Sequence, residues 1–281
     1  MSEQAAASSD IRLHPKNHGF TWNPVRGPFR IVSEDQAQAF NDDGCFVLRD
    51  AIDRETLSRV TGEIDPWEVK FEEQLRAHGG KMFIAQADGI TFTVHLVKRS
   101  RILREFAASR LFSDLCHDLI GLDARLYWDQ AVYKKPEFPK DFPWHQDNGY
   151  TYVEPQNYLT CWIPLTDASV DNGCPWVVRG GHRFGTLEHK LSDMGWFCRE
   201  HDGAEAFPVP VKAGDVVVFS SLTPHRTGPN VTKNVRKTYI LQYAPDGARV
   251  VDGEPCSAPD RQFLILKNGE SVAPPEMEKS S

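Results

Sequence analysis

Asp215-Val216-Val217-Val218-Phe219-Ser220-Ser221-Leu222-Thr223-Pro224-His225 reads as an apolar strand that delivers a histidine at its exit. Thr227 follows, then a turn at Gly228-Pro229-Asn230 and a return strand beginning at Arg236. On that strand Arg236, Thr238, Ile240 and Gln242 fall on one face, and Lys237, Tyr239, Leu241 and Tyr243 on the other. A hairpin of this kind can hold His225 on a metal and point Arg236 into the same pocket. A guanidinium has a use there, because its planar fork pairs bidentately with a carboxylate. Taken alone, Arg236 would be a surface residue flanking a turn.

The strand texture extends back to about Arg125. Residues 125–133, 158–165, 174–178, 209–211, 215–220 and 236–243 read as short strands. Asp171-Asn172-Gly173, Gly180-Gly181 and Ala213-Gly214-Asp215 supply turn chemistry between them. Residues 185–207 form a long irregular stretch, a candidate lid. The first half reads helical. Ser33 with Gln36 forms a capping box for a short helix ending near Gly44. Asp53 opens a long stretch toward His78, in which Pro66 predicts two helices or one kinked helix. Residues 100–111 predict another helix, and Ser113 caps the next, which Gly121 stops. Helices first and antiparallel strands afterwards predict an α+β chain whose sheet closes or sandwiches, with helices outside. The expected organisation is one domain over residues 1–281: helical support to about 124, a β core over 125–245, and an extension over 246–281. Asn268-Gly269 predicts a small hairpin in that extension.

A chain that is 40% hydrophobic and 11% aromatic can bury a sizeable core. The formal net charge of -7, without a long Lys/Arg run, argues against nucleic acid as the main partner. Cys45, Cys116, Cys161, Cys174, Cys198 and Cys256 form no CxxC pair and no disulfide-like ladder. No segment is apolar for long enough to span a bilayer, and residues 1–10 lack the pattern of a signal peptide. The expectation is a reduced, soluble, cytoplasmic protein with no membrane partner.

His145-Gln146-Asp147 carries the chemistry. Strand alternation puts His145 and Asp147 on one face, where an imidazole and a carboxylate can share a metal. With ten histidines in the chain, such a triplet arises by chance, and a core or surface histidine beside an N-cap aspartate is the plain alternative. His225 changes the balance. Two histidines and one carboxylate leave adjacent positions open on a metal, as oxygen chemistry at non-haem iron(II) requires and a closed structural zinc site does not.

The whole pattern resembles the phytanoyl-CoA dioxygenase family of iron(II)- and 2-oxoglutarate-dependent oxygenases. The resemblance covers roughly residues 125–243 and extends more loosely into Gly44-Cys45-Phe46-Val47. It rests on Lys135-Pro136, His145-Gln146-Asp147, Trp162, Asp171-Asn172-Gly173-Cys174, Gly181-His182, Pro224-His225, Thr227-Gly228-Pro229-Asn230 and Arg236. The implied fold is a double-stranded β-helix (jelly-roll, cupin-like) with helices packed outside. The implied iron ligands are His145, Asp147 and His225. Arg236 would hold the far carboxylate of 2-oxoglutarate, with Thr227 adding a hydroxyl. Trp162 is either a cosubstrate contact or a packing residue, and Gln130 and Gln146 lie at positions near the cosubstrate in such enzymes. A lysine common in the family's helical half has no clean counterpart here; His95 and Lys98 are the candidates for its place. Where the family reads Pro-Gly-Ser-His, this chain has Arg179-Gly180-Gly181-His182, and His182 is expected to be structural.

The implied reaction consumes 2-oxoglutarate and O2, releases succinate and CO2, and oxidises an unactivated C–H bond. Asp147 favours hydroxylation, desaturation or cyclisation over halogenation, for which related iron enzymes replace this carboxylate by a small residue. Trp128, Trp144, Tyr150, Tyr152 and Trp176 are candidate lining for a small or medium organic substrate, free or carrier-linked. Lys134, Lys135 and Lys140 are candidates for a CoA-binding mouth. The rival readings are a zinc hydrolase on the same ligands, a non-catalytic metabolite-binding protein, and a protein hydroxylase.

Overall fold

The computed structural model describes residues 12–251 and 263–277. Two antiparallel sheets face one another. The larger has ten strands, whose main path runs Cys45–Leu48, Val216–Ser220, Leu159–Pro164, Arg236–Pro245, Ala124–Lys134 and Ile90–Val94, ending in two short strands at residues 85–86 and 81–82. The smaller has four, in the order Ala206–Pro208, Pro175–Val178, His225–Thr227 and Phe142–His145. This is the cupin-like double-stranded β-helix that the sequence implies. The predicted alternation holds on Arg236–Pro245. Tyr239, Leu241 and Tyr243 join the core beneath the helices, while Arg236 and Ile240 face the space between the sheets.

Four helices cover the larger sheet: α1 Glu34–Asp43, α2 Arg54–Ala77, α3 Arg101–Ala107 and α4 Arg110–Leu119. The Ser33–Gln36 capping box is present, and Gly44 ends α1 in the left-handed region at φ 79°. A side chain at Gly44 would run into Thr223 and His182, so the glycine also lets the helix end press on the loop that leads to His225.

Several expectations need correction. Of the two alternatives the pair of helices is excluded: Pro66 lies inside one continuous α2. It sits on the exposed side of that helix, while Leu57, Val60 and Ile64 bury the other, so packing outweighs the lost amide. The predicted helix over 100–111 breaks at Ala108–Ser109, and Ser109, not Ser113, is the N-cap of α4. Ser109 makes no side-chain cap bond, and Ser113 bonds within the helix to the Arg110 carbonyl. The first half is also less purely helical than expected, since Cys45–Leu48 and Ile90–Val94 are strands of the larger sheet. Both are rich in β-branched and aromatic residues. Strand Ala206–Pro208 precedes the predicted 209–211, of which Val211 makes only an isolated bridge to Ala168. The stretch 185–207 is not wholly irregular, because it carries the hairpin Lys190–Ser192 with Gly195–Phe197. The hairpin at Asn268-Gly269 is present. The five cysteines among the described residues are buried and free; Cys256 and residues 1–10 lie outside them. No helix is long and apolar enough to cross a membrane, among the described residues.

Asp129 ties the helical layer to the sheet. It is 1% exposed and accepts from the Leu96 amide at 2.7 Å, the Val97 amide at 3.1 Å and the Tyr239 hydroxyl at 3.0 Å. Burial pushes its carboxyl up to about 6, against the pull of those donors. The folded state therefore holds a proton that the unfolded chain has released. That stabilisation is complete below the ordinary carboxylate value and lost as pH rises through about 6. Between about pH 4 and about pH 7, wild type should lose ~2 kcal/mol of stability relative to Asp129→Asn. Urea midpoints of both proteins across that range check this, and a gap independent of pH excludes it.

Candidate metal centre

The two predicted histidines meet by strand register. His225 and His145 are direct partners across the antiparallel strands of the smaller sheet, and their ring centroids lie 4.1 Å apart. In both, the ring nitrogen Nδ1 lies against the carbonyl two residues earlier, Pro143 at 2.8 Å and Thr223 at 2.9 Å. An Nδ1–H donated there leaves each Nε2 free to bind a metal. Burial, and then the neighbouring His225, lowers the pKa of His145 well below the usual range, which keeps its imidazole neutral.

Asp147 completes the group. The strand ends at His145 and a short 3-10 turn begins at Asp147, whose Oδ1 lies 3.9 Å from His145 Nε2 and 3.8 Å from His225 Nε2. Ligand atoms of all three residues fall within 4.8 Å of one another. The second carboxylate oxygen accepts from the Thr160 hydroxyl at 2.6 Å, and Thr160 accepts in turn from Gln242 at 3.4 Å. Thr160 was missed as a site residue, although it shares a strand face with Trp162. His189 was missed too: its Nε2 accepts from the Gln146 amide at 2.9 Å and fixes the backbone between the two candidate ligands.

Beside the triad is a narrow cleft of about 50 Å³, walled also by Gln130, Trp162, Thr227 and Arg236. Arg236 is 1% exposed, with its guanidinium carbon 5.4 Å from the centre of the Trp162 ring. One nitrogen, Nη1, donates to Thr238 at 2.8 Å, while Nε and Nη2 are buried with no partner among the described residues. Burial lowers its pKa to about 10, which leaves it a cation at neutral pH. Gln130 accepts from the Trp128 indole at 3.2 Å, leaving its amide end to donate into the cleft.

Gln146 requires correction. It is wholly buried, but its amide donates to the Gly185 and Leu222 carbonyls and accepts from the Leu187 amide at 2.6 Å. It ties residues 185–187 and Leu222 to the strand end that carries His145 and does not line the cleft. Two of the three lysines expected at a basic mouth are committed elsewhere, and only Lys140 is exposed. Lys134 is 0% exposed, the register partner of Arg236, and donates to Thr227 Oγ1 at 3.2 Å and to the Gly228 carbonyl. Lys135 is paired with Glu68 and Glu72.

The residues fit an iron and 2-oxoglutarate site. Two buried basic side chains are register partners across the strands, and among the described residues neither forms a carboxylate salt bridge; burial, and then Arg236, pushes the Lys134 pKa well below the usual lysine range. Arg236 offers unused N–H donors to the same cleft that holds the three-ligand group. An anion that reaches from Arg236 toward the triad satisfies both.

The cleft shares Phe92, Gln130, Phe142, His145 and Asp147 with a larger cavity of about 490 Å³. Aromatic residues dominate this cavity, among them Tyr127, Trp128, Tyr150 and Trp196. Of the aromatics expected there, Trp128 and Tyr150 line it. Trp144 packs instead behind the metal strand, its indole donating to Asp202 at 2.8 Å.

Comparison with known proteins agrees with this geometry. The profile of the family "Phytanoyl-CoA dioxygenase (PhyH)" matches residues 40–238. Methylphosphonate hydroxylase of Gimesia maris is 33% identical over 143 residues, which cover 50% of this chain and 53%, about half, of that one. Phytanoyl-CoA dioxygenase 1 of Oryza sativa subsp. japonica is 24% identical over 237 residues, covering 83% of this chain and 69% of its own. An epimerase solved with Fe3+, alpha ketoglutarate and nogalamycin RO superposes with a TM-score of 0.62 at 20% identity, over 87% of this chain and 93% of that one, a likeness of fold. The chain belongs to the phytanoyl-CoA dioxygenase family of iron(II)- and 2-oxoglutarate-dependent oxygenases.

Proposed function

We propose that this chain hydroxylates, desaturates or cyclises an unactivated C–H bond of a small or medium organic metabolite, consuming 2-oxoglutarate and O2 and releasing succinate and CO2. His145, Asp147 and His225 would hold the iron(II), and Arg236 the far carboxylate of 2-oxoglutarate. The observation that carries this reading is Arg236 itself, a fully buried cation with two unused N–H groups in the triad's own cleft. When bound, iron with 2-oxoglutarate supplies the oxidising power for the C–H bond; the protein supplies geometry and a dry site.

Each residue then has a task. Arg236 takes one end of the cosubstrate by charge-assisted hydrogen bonds, and the Trp162 ring beside it limits where the guanidinium can lie. Lys134 donates to Thr227 Oγ1, which turns the hydroxyl's own proton toward the cleft. Thr160 holds one oxygen of Asp147, so the other stays directed at the two histidines. Phe92 and Phe142 stand between cleft and cavity and keep water from the reacting atoms. A hydrolytic zinc site would need a general base beside its water, and Asp147 is the one carboxylate lining either space among the described residues.

Purified protein with iron(II), ascorbate and 2-oxoglutarate should bind the cosubstrate and decarboxylate it when a suitable substrate is present. Failure of both, with every substrate offered, overturns the oxygenase reading. Asp147→Ala should weaken iron binding by about a hundredfold or more and abolish turnover, as read by metal titration and succinate release. Arg236→Ala should raise the 2-oxoglutarate requirement by about a hundredfold while iron binding persists, the loss of a charged hydrogen-bonding pair. Thr160→Val should lower iron affinity about tenfold without unfolding the chain. An unchanged affinity in that variant removes Thr160 from the site.

A further inference from the structure

A second cavity, of about 380 Å³, adjoins the aromatic one, and Phe71, Phe92 and Val94 belong to the walls of both. Each volume lies in the range of small-molecule sites, about 300–1,000 Å³. Their chemistry differs. The aromatic cavity carries a single carboxylate, Asp147, and no lysine or arginine. The second carries Lys70 and Arg99 and no acidic residue.

Its construction is specific. Trp67, Lys70, Phe71 and Gln74 recur at the three- and four-residue spacing that places them on one face of α2. Lys70 Nζ lies 4.4 Å and Arg99 Cζ 5.0 Å from the centre of the Trp67 ring, which gathers both cations at one wall. Neither forms a salt bridge among the described residues. Other cations against α2 do: Arg76 with Glu72 and Asp88, Lys135 with Glu68, and Lys237 with Asp65. Asp129 acts on Arg99 electrostatically but is already engaged by the Leu96 and Val97 amides. Thr93 lines the same cavity at 2% exposure, and its Oγ1 is buried with no hydrogen-bond partner. A buried hydroxyl is normally satisfied, so an unpaired one in a cationic cavity points to an acceptor that arrives with a ligand.

We propose that the substrate of the metal centre is an amphipathic anion. Its uncharged apolar body fills the aromatic cavity beside His145 and Asp147. Its one anionic end group, a carboxylate or a phosphate, reaches the second cavity and is received by Lys70, Arg99 and Thr93. The inference rests on the oxygenase reading of the metal centre. It replaces the basic mouth expected at Lys134 and Lys135, which are committed elsewhere, by one built from the helical half.

The test is equilibrium binding, without turnover, of decanoate, decyl phosphate and 1-decanol to the full-length metal-free chain, followed by calorimetry. At least one of the two anions should bind about tenfold more tightly than the alcohol, the sum of two modest charge contacts. Which anion prevails decides between carboxylate and phosphate. The preference should shrink severalfold between about 20 mM and about 500 mM salt, a measurement that needs no variant. Lys70→Gln with Arg99→Gln should erase it. Thr93→Val should loosen the preferred anion about threefold and leave the alcohol unchanged. Equal binding of alcohol and anions, a preference that survives the double substitution, or no binding of any probe overturns the proposal. Binding of 2-oxoglutarate to the iron-loaded wild type, measured alongside without any alkyl probe, reports on the metal centre alone, so failure of one reading is distinguishable from failure of the other.

Discussion

A guanidinium held out of water without its full set of partners is the constraint around which this fold is arranged. Taking an ion into a protein interior costs several kcal/mol, after relaxation, unless other groups replace its hydration. Arg236 stands directly across the strand pair from Lys134, also fully buried. Like charges at paired positions repel, and burial together with Arg236 pushes the Lys134 pKa well below the usual lysine range, so the charge that persists is the guanidinium. Lys134 is compensated by carbonyls and a hydroxyl, whereas Arg236 has one threonine and an aromatic face. The deficit is local and directional. It opens on the cleft shared with His145, Asp147 and His225, so an anion bound in that cleft would stabilise the fold.

The two sheets divide the work. The smaller sheet pairs the histidines through backbone register, so the distance between them follows from strand geometry more than from side-chain packing. Each imidazole is then oriented by a carbonyl of its own strand or approach loop. The larger sheet supplies the groups that act on anions: Arg236 for the cleft, and Thr160 for the carboxylate of Asp147. Motion of one sheet relative to the other would separate Thr160 from Asp147. The expected hairpin between the His225 and Arg236 strands does not form, because the two lie in different sheets; the connection between them passes from one sheet to the other and ties the two functions covalently.

What was legible in the sequence was whatever depends on alternation and turn chemistry. The faces of Arg236–Pro245, the capping box at Ser33 and the apolar strand Val216–Ser220 follow from residue type and spacing, although that strand ends before His225, which opens a strand of the other sheet. Partners distant in sequence did not show. Gln146 sits between two candidate ligands, yet alternation turns its amide away from them to the carbonyls of Gly185 and Leu222, contacts that no local pattern records. Thr160 and Asp147 are brought together by the packing of one sheet on the other. Lys134 and Lys135 looked like a basic surface pair, but strand alternation sends one into the sheet interior and the other to Glu68 and Glu72 on α2. Pro66 left two helices or one open, and the apolar face of the helix that contains it decides for one.

The same helix argues against treating the first half of the chain as support alone. A helix that only covered a sheet would bury an apolar stripe and leave the rest to solvent. On α2 the stripe of Leu57, Val60 and Ile64 gives way, one turn later, to a face that carries Glu68 and Glu72 toward Lys135 and Trp67, Lys70 and Phe71 toward a cavity. The acidic pair satisfies the lysine that follows the sheet's central strand, which removes that lysine from the pocket entrance. The adjacent positions then present Lys70, beside Arg99 from the turn at Leu96–Lys98, at the wall of the second cavity. Cation placement around the pocket is thus set jointly: Lys134 is buried and Lys135 paired, while α2 and the turn after Ile90–Val94 each supply one cation that forms no salt bridge among the described residues.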